Sequence, residues 1–254
     1  MRLNATIIVL TFVGFVLFFG YTLPPFALLF LLLLVIAVLL CVSLVIKYLN
    51  RLTLAQWAIL NEQLQINLQM PERAWLELEW KYPSMAGMYL GKKISISMFN
   101  AEMFGITAPH TRIIIDAIHY GNTLEIRSEG VYTQFEKFWL KANNFYTRQV
   151  QKVLHYFGRE VVPLKGEVAV GDLEFDRRFY VLTNNAGFVK RLLDPDIRDI
   201  MKNDVFTKMG KFVLNQSQLI YTEQININTD FERQRFQKII LLMYMMVNRM
   251  ERIR

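Results

Sequence analysis

Residues 5–46 carry no charged side chain, and this stretch constrains the fold of the chain more than any other feature. Two apolar runs, 5–19 and 26–46, flank a short turn that contains Pro24 and Pro25. A helix rises about 1.5 Å per residue, so the second run is long enough to cross a hydrocarbon core of roughly 30 Å. Because two adjacent prolines disfavour one continuous helix, we predict a transmembrane hairpin over residues 1–51, with spans at 4–23 and 26–46.

The charges around the hairpin predict its orientation. Arg2 precedes the first span, Lys47 and Arg51 follow the second, and the turn between the spans has no charge. By the positive-inside rule, both termini of this multi-pass protein face the cytoplasm, in the cytoplasmic (inner) membrane. The cationic stretch after the second span also suits contact with anionic lipid headgroups. A cleaved signal peptide is disfavoured, because the turn lacks a small-residue cleavage site.

Composition limits the folds and the kinds of site that are open to the roughly 200 residues after the hairpin. Their length is enough for one domain with a real core, or for two small subdomains. The single cysteine, Cys41, lies in the second span, so the chain has no internal disulfide and no cysteine-based zinc site. The net charge of +7 is spread out, without a block rich in lysine and arginine, so nucleic-acid binding is not expected.

The hydrophobic periodicity after the hairpin predicts a helical connector over 52–82 and an α+β domain over 83–254. The expected helices cover 50–70, 131–157, 186–193, a helix that starts at Asp194-Pro195, and a last helix capped by Thr229 and Glu232. The expected strands cover 85–89, 93–99, 112–120, 123–127, 167–170, 178–182, 211–214 and 218–222.

Runs of strands followed by long helices favour an antiparallel sheet that long helices cover on one face. Turns at Gly91, Gly121 and Asn215 join the first, second and last pairs of predicted antiparallel strands into hairpins. The last helix is expected to bury Phe236, Ile239, Ile240, Met243, Val247 and Met250. Residues 83–158 and 159–254 share a similar element order, which fits either a diverged internal duplication or a coincidence of patterning.

Two short motifs stand out in the predicted domain. The segment 87–92 has the form G-x-x-x-G-[RK]. The segment 171–181 has the form G-D-x-x-F-D-x-x-F-x-V, and a Leu-Leu pair follows at 192–193. Both motifs resemble those of uncharacterised bacterial and archaeal proteins that carry an N-terminal transmembrane hairpin. The resemblance implies no established activity and a structural role for Gly87, Gly91, Gly171, Asp172, Phe175, Asp176, Phe179 and Leu193. Phe175 and Phe179 are expected to be buried, on one face if one strand holds both.

Asp172, Glu174 and Asp176 form the strongest acidic cluster in the sequence. On a strand, alternate side chains share a face, so the three carboxylates would point together at a hard cation such as Ca²⁺ or Mg²⁺. The simpler interpretation is an exposed turn, in which Asp172 accepts local backbone N–H groups and Asp176 pairs with a neighbouring arginine. We therefore expect no metal site, and these three residues stay weak candidates.

The other chemical motifs are weak. His110, His119 and His155 lack the spacing of a helical metal site, and a role as partly buried polar or surface residues is expected for them. The sequence has neither a Gly-rich phosphate loop nor a Gly-x-Ser-x-Gly nucleophile elbow, so no cofactor is expected.

These observations favour a non-enzymatic, membrane-anchored protein whose cytosolic domain binds a protein, a lipid headgroup or a small ligand. Two alternatives stay open. One is a membrane-tethered enzyme whose site combines scattered carboxylates with a histidine. The other is an accessory subunit whose hairpin packs on another membrane protein.

Overall fold

The computed structural model describes residues 14, 25–71, 82–103, 106–117, 121–128, 166–205, 210–215 and 217–253. Most of the hairpin turn, the predicted helix over 131–157 and, apart from Gly14, the predicted first span lie outside these residues. His119 and His155 lie outside them as well.

One helix, α1, runs without a break for 40 residues from Pro25 to Leu64. It begins at the second proline of the predicted turn, where a residue without a backbone N–H is well tolerated. The predicted second span and the helix expected after it are therefore parts of a single helix.

The expected extension of this helix to residue 70 is wrong. Gln65 adopts a left-handed conformation with φ of 53°, which ends the helix. Ile66 is then buried, and Asn67–Gln69 forms an edge strand against residues 84–86. Sheet pairing and the burial of Ile66 outweigh helical periodicity here.

Nine strands in the described parts of the chain form one antiparallel sheet in the order β1-β2-β3-β4-β9-β8-β5-β7-β6. The strands are β1 Asn67–Gln69, β2 Ser84–Tyr89, β3 Lys92–Met103, β4 Ile106–Asp116, β5 Leu124–Ser128, β6 Gly166–Glu167, β7 Phe179–Thr183, β8 Lys211–Leu214 and β9 Gln218–Glu223. Side chains alternate between buried and less buried along most of these strands, as in β9. This alternation is typical of a sheet with one face against the core.

Two of the three predicted hairpins are confirmed, β2–β3 and β8–β9. The hairpin expected around Gly121 is wrong, because β4 pairs with β3 and β9 whereas β5 pairs with β7 and β8. The β8–β9 hairpin therefore separates β4 from β5 in the sheet. Strands from the two proposed halves alternate in one sheet, so the halves are not separate units.

Four shorter or later helices complete the described fold: α2 Leu173–Arg178, α3 Ala186–Leu192, α4 Pro195–Ile200 and α5 Asp230–Arg252. A π-helical turn, Met201–Val205, follows α4. Asp194 caps α4, and Thr229 forms a capping box with Glu232 at the start of α5, as predicted. All six residues predicted for the core face of α5 are buried.

Helix α5 packs against α1 and the sheet, and the core lies between them. The last turns of α1 contribute Trp57, Leu60 and Leu64, which are 0 %, 0 % and 3 % exposed. The described fold is thus the expected mixture of helices and antiparallel sheet, with a long apolar helix at its N-terminal side.

Candidate functional site

The acidic motif at residues 171–176 is a helix start rather than a strand. Gly171 has φ of +89°, and Asp172 is the N-cap of α2, where its side chain accepts the backbone N–H groups of Glu174 and Phe175. Residues 173–178 are helical, so alternate carboxylates do not share a face as they would on a strand. The strand geometry considered for the three carboxylates is therefore wrong.

Each carboxylate of this motif already has partners. Asp176 accepts the N–H groups of Val170 and Gly171 at 2.9 and 3.0 Å, which corrects its expected pairing with a neighbouring arginine. Glu174 forms an exposed ion pair with Arg178 at 2.8 Å. Within the part of the chain that the structure describes, no three His, Cys, Asp or Glu side chains come together in a group suited to a metal ion.

Asp172 also faces two cations from later in the chain. Its Oδ2 atom lies 3.1 Å from Lys202 Nζ and 3.5 Å from Arg198 Nη1. The N–H of Phe175 and the hydrogen bond from Lys202 hold the pKa of Asp172 below its usual value. The hydrogen bonds to Asp199 and Asp172 in turn raise the pKa of Lys202. Asp172 thus fixes the start of α2 and orients Arg198 on α4.

The other motif residues have structural positions. Phe175 and Phe179 are both buried, with ring centroids 4.6 Å apart, although one lies on α2 and the other begins β7. Leu193 is buried at the end of α3. Gly91 occupies the β2–β3 turn with φ of +78°, and a Cβ at Gly87 would lie 3.1 Å from the Ile66 side chain.

The strongest candidate site is a cleft between α3, α4 and the C-terminal end of α5, which we call the basic cleft. It encloses about 370 Å³. Five of the described side chains that line it are cationic and one is a carboxylate: Lys190, Arg191, Arg198, Arg249, Arg252 and Asp194. Such a concentration of one sign of charge in a concave surface attracts anions.

Hydrogen bonds hold part of the basic cleft in place. Asp194 accepts the N–H of Ile197 as N-cap of α4, and its Oδ2 lies 3.1 Å from Arg249 Nη2. Arg249 also donates to the backbone oxygen of Arg191. The carboxylate therefore links α4 to α5 and fixes one of the five cations.

A second hollow, of about 260 Å³, adjoins the basic cleft and shares Asp194, Arg249 and Arg252 with it. Its other lining residues are four uncharged ones, Ile197, Tyr244, Met245 and Asn248, and the exposed carboxylate Asp196. We call it the side hollow.

A buried polar cluster lies elsewhere in the core. Tyr221 Oη donates to Glu223 Oε2 at 2.7 Å, and Arg235 Nη1 donates to the same oxygen at 2.7 Å. Burial, with the adjacent Glu223 charge, raises the pKa of Tyr221 well above its ordinary value. The hydrogen bond from Arg235 to Glu223 connects α5 to β9, whereas Arg235 Nη2 is buried and has no hydrogen-bond partner among the described residues.

His110 is the described histidine, and its surroundings are structural. It is 8 % exposed, its Nδ1 lies 3.0 Å from the Ala108 oxygen, and its ring stacks on Phe99. This fits the expected role of a partly buried polar residue.

The sequence did not single out the cations of the basic cleft. Its nearest signals were the adjacent pair Lys190-Arg191 and the pair Arg249 and Arg252, which lie three apart on α5. Each pair by itself is typical of a solvated helix face. Only the packing of α3 and α4 against the end of α5 brings them together.

No protein-family model matches the chain, and no curated protein matches it. Among solved structures, the chain is similar to the crystal structure of the mycobacterial trehalose monomycolate transport factor A, TtfA. The two share 10 % sequence identity and a TM-score of 0.42, over 79 % of this chain and 93 % of that chain. At these values, the function of this chain has to be inferred from its own residues.

Proposed function

We propose that this chain is a membrane-anchored, non-enzymatic binding protein. The first part of α1 crosses the bilayer, and the folded domain binds an anionic ligand in the basic cleft. The observation that carries the proposal is the single helix α1, which is apolar and exposed at one end and part of the domain core at the other.

The first 22 residues of α1 have no charge, and apart from the buried Ser43 their described side chains are exposed or half-buried. Leu29–Leu64 is the one stretch of the described chain that is long and apolar enough to cross a membrane, and 6 % of its most apolar 18 residues are buried. Phe26 and Phe30 are 75 % and 68 % exposed. Exposed apolar area costs about 25 cal/mol per Å² in water, so burial of this surface in lipid is strongly favourable. A core helix of a water-soluble domain would instead be mostly buried.

The last turns of α1 tie the anchor to the domain. Besides the buried Trp57, Leu60 and Leu64, Thr53 Oγ1 accepts a hydrogen bond from Asn226 at 3.1 Å. Arg233 on α5 donates to Gln56 and Gln63 on α1. Since the same helix supplies core residues, the apolar segment is an integral part of the mature protein in this proposal.

The proposed topology keeps the two-span hairpin, with both termini in the cytoplasm. It is supported by the apolar run before Pro24 and by Lys47 and Arg51 just after the second span. The bilayer is the first proposed partner. Anionic headgroups beside Lys47 and Arg51 and another membrane protein are further candidates.

The composition of the basic cleft favours binding over catalysis. Four arginines and a lysine can hold an anion by charge and hydrogen bonds. The one carboxylate among its described lining residues is Asp194. It caps α4 and pairs with Arg249, so its role is structural rather than that of a catalytic acid or base.

Fractionation of cells that produce the full chain tests the anchor. We expect the protein in the membrane fraction after an alkaline wash, and a chain that lacks residues 1–46 in the soluble fraction. Release of the full chain by the wash would overturn the proposal.

Reporter fusions after Arg254 test the orientation separately. We expect a green fluorescent protein fusion to fluoresce and the matched alkaline phosphatase fusion to be inactive. The opposite pair of results would place the domain outside the cytoplasm.

A further inference from the structure

We propose that the basic cleft binds the phosphate groups of a small, nucleotide-like organic phosphate, whose uncharged part occupies the side hollow. The inference rests on the proposed binding function of this cleft and names its ligand class.

The cleft has more positive charge than its own carboxylate neutralises. Asp194 pairs with Arg249. Lys190 and Arg252 are exposed and have no ion pair with any described residue. Their charges therefore remain available to a ligand.

Arg198 adds a donor that is already desolvated. Its Nη1 atom faces Asp172 at 3.5 Å, but its Nε atom is buried and has no hydrogen-bond partner among the described residues. A buried donor without a partner is destabilising, and a hydrogen bond to an oxygen-rich ligand in the cleft would relieve this.

These groups together suit phosphate better than a single carboxylate. A guanidinium presents N–H groups in a planar fork that matches phosphate oxygens, and a lysine adds a point charge. One arginine is enough for a carboxylate. Lys190 and Arg252, which have no ion pair with a described residue, and the free Nε donor of Arg198 together instead match a ligand with two or more negative charges.

The side hollow suits the uncharged part of such a ligand. Tyr244, Ile197 and Met245 offer an aromatic ring and apolar surface, and Asn248 offers an amide that both donates and accepts hydrogen bonds. Asp196 also lines the hollow, so the apolar and aromatic surface is the part that suits an uncharged group. Because Arg249 and Arg252 line both spaces, one molecule can reach from the cations to the ring.

The position of the cleft favours a soluble ligand over a lipid headgroup. The anchor helix meets the domain near the start of α5, through the contacts of Asn226 and Arg233. Arg249 lies 16 residues after Arg233, about 24 Å along the helix. The cleft thus lies at the far end of α5 from the contacts with the anchor.

Isothermal titration of the full chain in a non-ionic detergent tests the phosphate site, with inorganic pyrophosphate and ADP as probes. We expect saturable binding of both, weakened about tenfold in the double variant Lys190→Gln/Arg252→Gln. The control Lys238→Gln removes an exposed cation of α5 outside the cleft and should leave both affinities unchanged. Absence of saturable binding, or an equal loss in the control, would overturn the proposal.

Comparison of the affinities for ADP and pyrophosphate tests the role of the side hollow. We expect ADP to bind more tightly than pyrophosphate, and Tyr244→Leu to weaken ADP while leaving pyrophosphate unchanged. Equal affinities for the two probes in the wild-type protein would overturn the assignment of the side hollow.

A further titration distinguishes a soluble organic phosphate from the phosphate of a lipid headgroup. ADP affinity is measured in phosphatidylcholine nanodiscs with and without phosphatidic acid, and we expect the same value in both. Competition by phosphatidic acid would overturn the soluble source. All these titrations use purified protein, so their failure is distinct from a failure of membrane anchoring.

Discussion

Asp172 shows how one residue connects a local motif to the candidate site. It caps α2 through two backbone N–H groups and, through Lys202 and Arg198, reaches the helix that lines the basic cleft. The sequence identifies Asp172 only as part of a motif, and the structure shows that it caps α2 and pairs with two cations. The turn at Gly171 and the cap at Asp172 position the cation Arg198.

The lowered pKa of Asp172 predicts a contribution to stability that depends on pH. A carboxylate with a depressed pKa in the folded state stabilises the fold above its unfolded value of 3.8, and this stabilisation is lost as pH falls through the lower folded value. Asp172→Asn keeps an acceptor oxygen but removes the charge. We expect the melting temperatures of wild type and variant to converge as pH falls below 3.8 and through the lower folded pKa of Asp172.

Thermal unfolding of the full chain in detergent, followed by circular dichroism, measures this difference. Asp196→Asn is the control, because Asp196 is an exposed carboxylate on α4 that lacks these backbone and cation partners in the described structure. A difference between wild type and Asp172→Asn that stays constant across this range would contradict the linkage.

The ion pair between Glu223 and Arg235 is the second residue-scale feature, because its side chains are only 3 % and 5 % exposed. Removing one partner leaves the other charge buried, so Glu223→Gln should lower the free energy of unfolding by about 3–5 kcal/mol. The exposed pair of Glu174 and Arg178 is the natural comparison, and Glu174→Gln should cost under about 1 kcal/mol. Urea denaturation of both variants measures the contrast, and similar losses would argue against a buried charge.

At the scale of elements, Phe175 and Phe179 join α2 to β7. Phe175 is 0 % exposed, so truncation to alanine should cost about 3–5 kcal/mol. Asp176→Ala removes the acceptor of two N–H groups and should cost less, about 1–2 kcal/mol. Chemical denaturation ranks the two variants, and an Asp176→Ala loss equal to that of Phe175→Ala would point to a ligated or more deeply buried carboxylate.

Elements whose signals are local could be predicted from the sequence. The capping box at Thr229, the N-cap at Asp194 and the hairpin at Gly91 each depend on residues within one turn of one another, and the structure contains all three. Strand pairing is not local. Residues flanking Gly121 have the pattern of a hairpin, but β8 and β9, almost 90 residues later, occupy the position between β4 and β5.

The candidate site could not be predicted for the same reason. Lys190, Arg198 and Arg252 lie on three helices, and their separation along the chain leaves no motif at fixed spacing. Helix 173–178 was missed because Gly171 and a run of acidic residues resemble a turn, and a six-residue helix gives little periodicity. The cap at Asp172 was recognisable in principle as an aspartate just before a short run with good helix formers.

At the scale of the whole molecule, the single helix α1 connects the proposed membrane span directly to the core of the domain. The segment that we propose for the bilayer ends near Ile46, and Thr53 already forms a hydrogen bond with the loop before α5. Only about two helical turns separate these points. A movement of the span along or about its own axis would therefore be transmitted to the core through Trp57 and Leu60.

This arrangement predicts where the domain can be cut free. A fragment of residues 52–254 keeps Thr53, Trp57, Leu60 and Leu64, and it loses the mostly exposed apolar part of α1, with the buried Ser43 and Asn50, together with the residues before it. We expect it to be soluble without detergent and to unfold in one cooperative thermal transition, because its helices and sheet bury one another's apolar faces.

A fragment of residues 66–254 is the matched comparison. It lacks the buried tryptophan and two leucines, each a loss of about 2–5 kcal/mol, and should melt at a much lower temperature or fail to fold. Equal melting temperatures for the two fragments would show that the end of α1 is not part of the core, and absence of any transition in the longer one would show that the domain depends on its anchor.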